Sequence, residues 1–285
     1  MTPLFETIRE LAAWGFDSEA DRGDTTPAAL EEIGRRAQAV IAARTCWHTE
    51  SPILAEETSH LADALSLRGE SIAASGEFRG LDWELAVVDL RRLLAFQRRI
   101  EVCGNGTLPW NSDASWERRL DLALPHAAAP SPQFSVRRSS PHAMQIETLS
   151  PNATVRLHCA DEAGQQMPHF VFGAGSPYME AAAYRGRWFL RDGYHRSVAL
   201  LRSGISQVPV VMVHARLLAE LGAGKSWFFP EETLFSEQPP RLADFIEESL
   251  TCCYTRRVQQ RGWRISLEEY REPVTMTPGS KGARA

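Results

Sequence analysis

The chain has 285 residues, enough for one large domain or two modest ones, and its 44% hydrophobic and 24% charged residues are ordinary for a globular protein. Its formal net charge of −5 argues against a dedicated non-specific DNA binder, although a local basic patch stays compatible with it. No run of apolar residues is long enough to cross a bilayer, so we expect no membrane-spanning segment.

The cysteine content favours a reducing compartment. The chain has an odd number of cysteines, and none forms a Cys-x-x-Cys pair: Cys46, Cys103, Cys159, Cys252 and Cys253. Free thiols are the expected state of such a set. The N-terminal residues show neither a basic n-region nor an apolar h-region, which argues against a signal peptide. We therefore predict a cytoplasmic protein.

The first 80 residues are predicted to form a helical layer. Apolar residues at helical spacing predict a short amphipathic helix over residues 5–15. Thr26 and Pro27 are typical of a helix start, which predicts a second helix over residues 28–44. A third helix is predicted over residues 53–67, with Ser51 as its cap and Pro52 at its first position. Nothing in this region indicates chemistry.

The next stretch leads from this layer into a linker. Residues 83–90 fit either a helix or a strand. Residues 91–102 carry an apolar stripe flanked by arginines, which predicts an amphipathic helix with solvated arginines. Residues 108–132 hold several prolines and are predicted to be a linker with one helical turn over residues 116–122.

The pattern then changes to short strands. Partial alternation of apolar and polar residues predicts strands over residues 134–138, 144–149, 154–159, 169–173 and 178–184, in an antiparallel sheet. The most informative stretch follows at residues 187–213, and it is predicted to fold as strand, tight turn, short helix and buried strand. Asp192-Gly193 is the turn signal, and Gly204 stands where a helix-ending glycine belongs.

The start of this short helix is a candidate anion site. The N-terminus of a helix leaves backbone N–H groups unpaired and carries a partial positive charge. His195 and Arg196 stand at that end, and Ser197 follows. Arginine offers a planar fork that suits phosphate, and histidine adds a donor that titrates near neutral pH. The turn is therefore predicted to bind phosphate.

Residues 190–213 resemble the ParB/sulfiredoxin superfamily. The resemblance rests on the Gly193-Tyr194-His195-Arg196 turn, the short helix, and the segments Gly204-Ile205 and Val208-Pro209-Val210 that follow. The family includes nucleotide-hydrolysing DNA clamps, sulfiredoxins that use ATP, and an ADP-dependent serine kinase. The resemblance implies that the turn contacts nucleotide phosphates. Tyr194 stands where a sulfiredoxin has its catalytic cysteine, and the Gly-Glu-Arg-Arg signature of the clamps is also absent, so neither reaction is expected.

Several candidate residues have two interpretations. Asp192 is expected to cap the helix through the N–H of Tyr194 or His195, in preference to a catalytic role. Tyr194 either stacks on a base or packs against the sheet. Glu180 is either a general base or magnesium ligand, or a solvated strand carboxylate. His195 and Glu180 are the catalytic candidates, and the phosphate ligands are predicted to be Asp192, Gly193, Tyr194, His195, Arg196 and Ser197.

Together these observations predict an α+β protein in three parts: a helical region over residues 1–80, a ParB/sulfiredoxin-like domain over residues 81–216, and an extension over residues 217–285 whose tail is disordered. His158, Cys159 and His169 lack metal-ligand spacing, so no metal site is predicted.

The first functional hypothesis is a nucleotide or phosphate binder, with ATP, ADP or another nucleotide and Mg²⁺ as ligand. This hypothesis includes a phosphotransferase or a nucleoside triphosphatase, but whether the protein is an enzyme stays open.

The second hypothesis is a non-enzymatic interaction module that retains the fold. The apolar segment Trp227, Phe228 and Phe229 is expected either to pack on the core or, under this hypothesis, to be exposed as the docking point for a protein partner. A DNA-associated regulatory role belongs to the same hypothesis, but the net charge does not support it.

Overall fold

The computed structural model describes residues 5–17, 22–23, 25–102, 113–126, 132–150, 153–162, 165–222, 228–258 and 262–272. Its strands are β1 (Phe5–Leu11), β2 (Trp83–Asp89), β3 (Arg99–Val102), β4 (Ser135–Ser140), β5 (Ala143–Thr148), β6 (Ala153–Glu162), β7 (Gln165–Ala174), β8 (Glu180–Tyr184), β9 (Arg187–Asp192), β10 (Gln207–His214), β11 (Thr251–Arg257) and β12 (Trp263–Glu268). Its helices are α1 (Pro27–Ala42), α2 (Ala55–His60), α3 (Ala62–Ser75), α4 (Trp116–Ala123), α5 (Tyr194–Arg202), α6 (Leu218–Leu221) and α7 (Glu231–Leu234). The protein is therefore of the mixed α+β class.

The chain divides into two compact units. Unit 1 is formed by residues 1–128 and 176–258, and unit 2 by residues 129–175 and 259–285. These boundaries differ from the predicted ones at residues 80 and 216, and the three-part division stays a prediction. The predicted disordered tail over residues 275–285 lies outside the described residues.

Unit 1 is built on a four-stranded sheet with the strand order β2-β10-β8-β9. Strand β10 is antiparallel to β2 and parallel to β8, and β8 and β9 form an antiparallel hairpin. Residues 208–213 of β10 are fully buried because both faces of the sheet are covered, as their continuous apolar sequence predicts. The predicted order of strand, turn, helix and strand over residues 187–213 is confirmed by β9, α5 and β10.

A second sheet in unit 1 overturns the first predicted helix. Residues 5–11 form strand β1, which lies between β11 and β3 in an antiparallel sheet. The helix predicted over residues 5–15 is therefore wrong. Its apolar residues also fit a strand, and the partner that decides is β11, about 240 residues further along, which pairs with β1 along its whole length.

The helix predicted over residues 91–102 is also wrong. A short 3-10 turn at Leu90–Arg92 and strand β3 replace it. Between them, the backbone N–H groups of Leu94 and Ala95 donate to the carbonyls of Trp188 (2.8 Å) and Pro240 (2.9 Å). Residues 93–96 are almost completely buried. The predicted helix required one solvated face, but this segment is surrounded by protein. Its backbone is extended instead and bonds to several neighbouring segments.

The other predictions for the N-terminal region hold in part. Helix α1 is confirmed, with Pro27 in its first turn and the hydroxyl of Thr26 accepting from the N–H of Ala29 at 3.3 Å. The helix predicted over residues 53–67 is split into α2 and α3, and it begins after Leu54, so the cap predicted at Ser51 is wrong. Residues 83–89 form a strand, and the predicted helical turn over residues 116–122 is confirmed as α4.

The strands predicted between residues 134 and 184 are confirmed, but they do not form one sheet. Strands β4 and β5 join β12 in the order β12-β5-β4, while β6 and β7 form a hairpin. These elements belong to unit 2. Strand β8 belongs instead to the four-stranded sheet of unit 1. The hydrophobic alternation identifies strands, but their partners lie too far along the chain for the local pattern to predict.

Candidate functional site

The turn between β9 and α5 is the candidate site, and Gly193 determines its backbone. Gly193 is the N-cap of α5 with φ of 91°, a conformation that favours glycine. A Cβ atom at this position would lie 2.9 Å from Cγ of Met179. The carbonyl of Gly193 accepts from the N–H of Ser197 at 2.8 Å, which closes the first turn of the helix. The predicted conformational role of Gly193 is confirmed.

Asp192 does not cap the helix as predicted. Its Oδ1 atom accepts from the N–H of Gly193 at 2.5 Å, and α5 has no side-chain cap. The reason is geometric: Gly193 occupies the N-cap position, which leaves Asp192 one residue too early. The Asp192 side chain is exposed beside the turn.

The guanidinium of Arg196 is used inside the protein. Its Nη1 donates to the carbonyls of Leu122 (3.0 Å) and Pro177 (2.6 Å), and its Nη2 donates to the carbonyl of Tyr178 (2.9 Å). Burial lowers the pKa of this guanidinium, and the nearby carboxylates of Asp192 and Glu180 oppose that shift. These bonds join the end of α4 and the segment before β8 to α5, and the predicted role of Arg196 as a phosphate ligand stays a prediction.

Tyr194 and Ser197 are also core residues. The hydroxyl of Tyr194 accepts from the N–H of Phe96 at 2.9 Å, and its ring packs edge-on against Phe96 and Phe245. Burial strongly raises its pKa. Of the two interpretations of Tyr194, packing is confirmed. Ser197 is fully buried, and within the described part of the chain its hydroxyl has no hydrogen-bond partner. Neither side chain is accessible to a ligand at the surface, which contradicts predicted contacts through these side chains but not through the backbone N–H groups.

His195 is the exposed side chain of the first turn. Its Nε2 atom accepts from the backbone N–H of Glu101, on β3, at 3.2 Å. An acceptor at Nε2 places the ring proton of the neutral imidazole on Nδ1. Sequence reasoning missed this contact with Glu101, because a backbone N–H contributes no sequence signal. Of the predicted ligand side chains, His195 is exposed at the turn and keeps a ring nitrogen that can donate.

Glu180 lies in a buried ion pair with Arg191. The carboxylate is 2% exposed, and one of its oxygens accepts from Nη1 of Arg191. Burial raises the pKa of Glu180, whereas Arg191 and the hydroxyl of Ser176 lower it and Asp192 raises it further. The interpretation of Glu180 as a solvated carboxylate is wrong. It pairs across the hairpin with Asp192 and stabilises the strand end that leads into the turn.

The predicted docking segment is not an exposed surface where the structure describes it. Phe228 and Phe229 are buried, and the N–H of Phe229 donates to the carbonyl of Phe96 at 2.8 Å. The guanidinium of Arg98 lies 4.6 Å from the centre of the Phe229 ring. Trp227 lies outside the described residues. The expectation of an exposed apolar segment is therefore wrong for both phenylalanines, and the prediction that the segment packs on the core is confirmed for them.

Among the described residues, no group of three or more histidine, cysteine, aspartate or glutamate side chains is placed to hold a metal ion. In the same part of the chain, no helix has the length and hydrophobicity needed to span a bilayer.

Comparison with known proteins finds no matching family model, curated protein or solved structure. The resemblance to the ParB/sulfiredoxin superfamily therefore stays a prediction based on residues 190–213.

Proposed function

We propose that the chain binds a phosphate group, carried by a nucleotide or another small molecule, at the N-terminus of α5. The observation that supports this proposal best is the exposed imidazole of His195 on a nine-residue helix that begins without a side-chain cap. The backbone N–H groups of the first turn have no carbonyl partner inside the helix, and they carry the positive end of its dipole. Phosphate oxygens can accept hydrogen bonds from these N–H groups, and the positive end of the dipole favours their negative charge.

The rest of the turn contributes rigidity. Arg196 bonds to carbonyls of Leu122, Pro177 and Tyr178, and the buried pair of Glu180 and Arg191 stabilises the preceding strand. These contacts fix the direction of the backbone N–H groups before a ligand arrives, which lowers the entropic cost of binding. Arg196 therefore supports the site from below and does not touch the ligand.

The carboxylate of Asp192, whose Oδ1 accepts from the N–H of Gly193, is exposed beside the turn. Mg²⁺ prefers oxygen ligands from carboxylates and phosphates, so it suits a phosphate group that is bound beside this carboxylate. We therefore expect Mg²⁺ to strengthen binding. No reaction is proposed, because the acid–base candidate Glu180 is enclosed in its ion pair.

A thermal-shift screen tests the proposal. The full chain is heated with ATP, ADP, CTP, GTP or inorganic phosphate, each with and without Mg²⁺, because a ligand of the folded state raises Tm. We expect at least one of these ligands to raise Tm, more so with Mg²⁺, and we expect His195→Ala to remove the shift. The matched control is His48→Ala, an exposed histidine of the same unit, which should keep it. No shift with any ligand, or an equal shift in His195→Ala, would contradict the proposal.

A further inference from the structure

The edge of the sheet in unit 2 is a second candidate for binding. Strand β4 lies at one end of the order β12-β5-β4, and every one of its residues is exposed. Within the described part of the chain, β4 pairs with β5 alone. One side of its backbone therefore has N–H and C=O groups that another strand can bond.

The sheet that ends at β4 has one mostly apolar face and one mostly polar face. Val136 of β4 lies opposite Ile146, which lies opposite Ile265, and the next row on the same face holds Met144, Leu267 and, at the edge, Arg138. Val136 is 65% exposed and Leu267 is 41% exposed. The alternate positions on β4 and β5, Ser135 and Glu147 among them, are polar. A strand added beside β4 would extend both faces if its own residues alternate in the same way.

The charge on β4 indicates the chemistry of such a strand. Arg137 and Arg138 are consecutive, so their side chains lie on opposite faces of the sheet. Both are exposed, and neither forms a hydrogen bond or ion pair with the residues that the structure describes. Arg264, two strands away, is paired with Glu147. Among the described residues, the edge therefore presents one uncompensated positive charge on each face, and Arg137 on the polar face complements carboxylates on a neighbouring strand.

A cavity lies at the end of the sheet where β4 begins. It has a volume of about 660 Å³ and is formed where β4 and β12 start and β5 ends. Its apolar walls are Phe134, Leu149 and Trp263. Gly262 also lines it, and a Cβ atom at this position would lie 2.7 Å from the carbonyl oxygen of Thr148. A peptide that pairs with β4 and continues past Ser135 reaches this cavity with its next apolar side chain.

We propose that β4 is a docking edge for an extended acidic peptide in which carboxylates alternate with apolar residues. The backbone of the peptide bonds to the open side of β4, its carboxylates lie beside Arg137 on the polar face, and its apolar side chains pack beside Val136 and in the cavity. The surface belongs to unit 2 alone, so this proposal is independent of the phosphate site on α5.

Binding of a defined peptide to the full chain tests the proposal. The probe is a fluorescent peptide of about eight residues, blocked at both ends, that alternates glutamate and valine. We expect saturable binding by fluorescence anisotropy, and weaker binding as NaCl is raised from about 0.05 M to about 0.5 M. A peptide of alternating lysine and valine should not bind. Methylation of alternate backbone nitrogens should abolish binding, because it removes the donors that face β4.

Charge reversal on the protein gives the second measurement. The double variant Arg137→Glu/Arg138→Glu should weaken binding of the acidic peptide by about tenfold or more, because the attraction to Arg137 becomes a repulsion and the edge as a whole changes from positive to negative charge. The matched control is Arg118→Glu, which reverses an exposed arginine on α4 of unit 1 and should bind like the parent. Unchanged circular dichroism and Tm would show that both variants are folded.

Several outcomes would overturn the proposal. One outcome is that the acidic peptide does not bind. Another is that the lysine peptide or the methylated peptide binds as tightly as the acidic peptide. Either result would mean that the two arginines only protect the edge from aggregation. Self-association that the double variant abolishes, seen by sedimentation, would assign the edge to a second copy of the chain. Binding of single-stranded DNA that the double variant abolishes, without binding of the peptide, would assign it to nucleic acid.

Discussion

Arginines at α5 and at β4 are used in opposite ways. Arg196 donates to backbone carbonyls on two other segments of unit 1 and is half-buried. Arg137 and Arg138 of unit 2 are exposed and form no bond to the described residues. In the sequence, Arg196 stands in the more suggestive context, beside a glycine turn and a histidine. The comparison shows that the carbonyls around a guanidinium, and not its neighbours in the sequence, decide whether it is available to a ligand.

The same comparison changes the account of the phosphate site. With Arg196 occupied, the ligand contacts that remain are the backbone N–H groups of the turn and the exposed His195. The site then depends on the shape of the backbone, which Gly193 and Arg196 maintain. The predictions below separate this supporting role from the role of a free surface charge.

The largest expected effect is that of removing the guanidinium of Arg196. Arg196→Met leaves the carbonyls of Leu122, Pro177 and Tyr178 without their charged donor. We expect the free energy of unfolding to fall by about 3 to 5 kcal/mol, because each such bond contributes strongly and its loss leaves an unsatisfied acceptor. Urea unfolding measures this change. Arg138→Met should change stability by less than about 0.5 kcal/mol, and equal effects of the two variants would contradict the comparison.

A smaller effect is expected at the glycine of the turn. Gly193→Ala forces a side chain into a backbone with φ of 91° and places its Cβ 2.9 Å from Cγ of Met179. We expect a loss of about 2 to 3 kcal/mol, the sum of backbone strain and overpacking. Gly186, with φ of 75° and no atom within 4 Å of a Cβ, isolates the first of these causes. Gly186→Ala should lose only about 1 kcal/mol by urea unfolding, and an equal loss at both positions would contradict the close packing against Met179.

The smallest effect is a change in the dependence of stability on pH. Burial raises the pKa of Glu180 in the folded protein, although Arg191 opposes it. A raised pKa means that the folded state keeps this proton to higher pH than the unfolded chain does. The contribution of Glu180 is therefore most favourable below its unfolded pKa, and it is lost as pH rises through the folded value.

Glu180→Gln cannot lose a proton, so we expect its free energy of unfolding to fall less than that of the parent over this interval. Urea unfolding at steps from about pH 4 to about pH 8 measures both slopes. A variant that declines as steeply as the parent would show that Arg191 holds Glu180 ionised in the folded state throughout.

The sequence predicts the fold where the determining contacts are local. The turn at Asp192-Gly193, the short helix after it and the buried strand β10 all follow from residues within one stretch. Strand β1 and the extended segment over residues 93–96 do not. Their apolar spacing is compatible with a helix, and their backbone partners, such as β11 and the carbonyl of Pro240, come from distant parts of the chain.

The local backbone structure of the candidate site was predicted, but the partners of its side chains were not. Gly193 and His195 have local signals, a left-handed turn and a polar residue at a helix start. No local sequence signal indicates that the guanidinium of Arg196 bonds within the protein, because its acceptors are backbone carbonyls that any residue type can provide. The buried pair of Glu180 and Arg191 is likewise invisible in a sequence that lacks the register of the β8–β9 hairpin.

The most direct test of the account is an amide titration by nuclear magnetic resonance. The full chain, labelled with ¹⁵N and deuterated, is titrated with ADP and Mg²⁺, and separately with inorganic phosphate. The account predicts that the largest shifts belong to the backbone amides of residues 193–196 and to the ring of His195, while the guanidinium signals of Arg196 keep their positions. Shifts centred elsewhere, or a response of the Arg196 guanidinium with no response of the backbone amides, would contradict it.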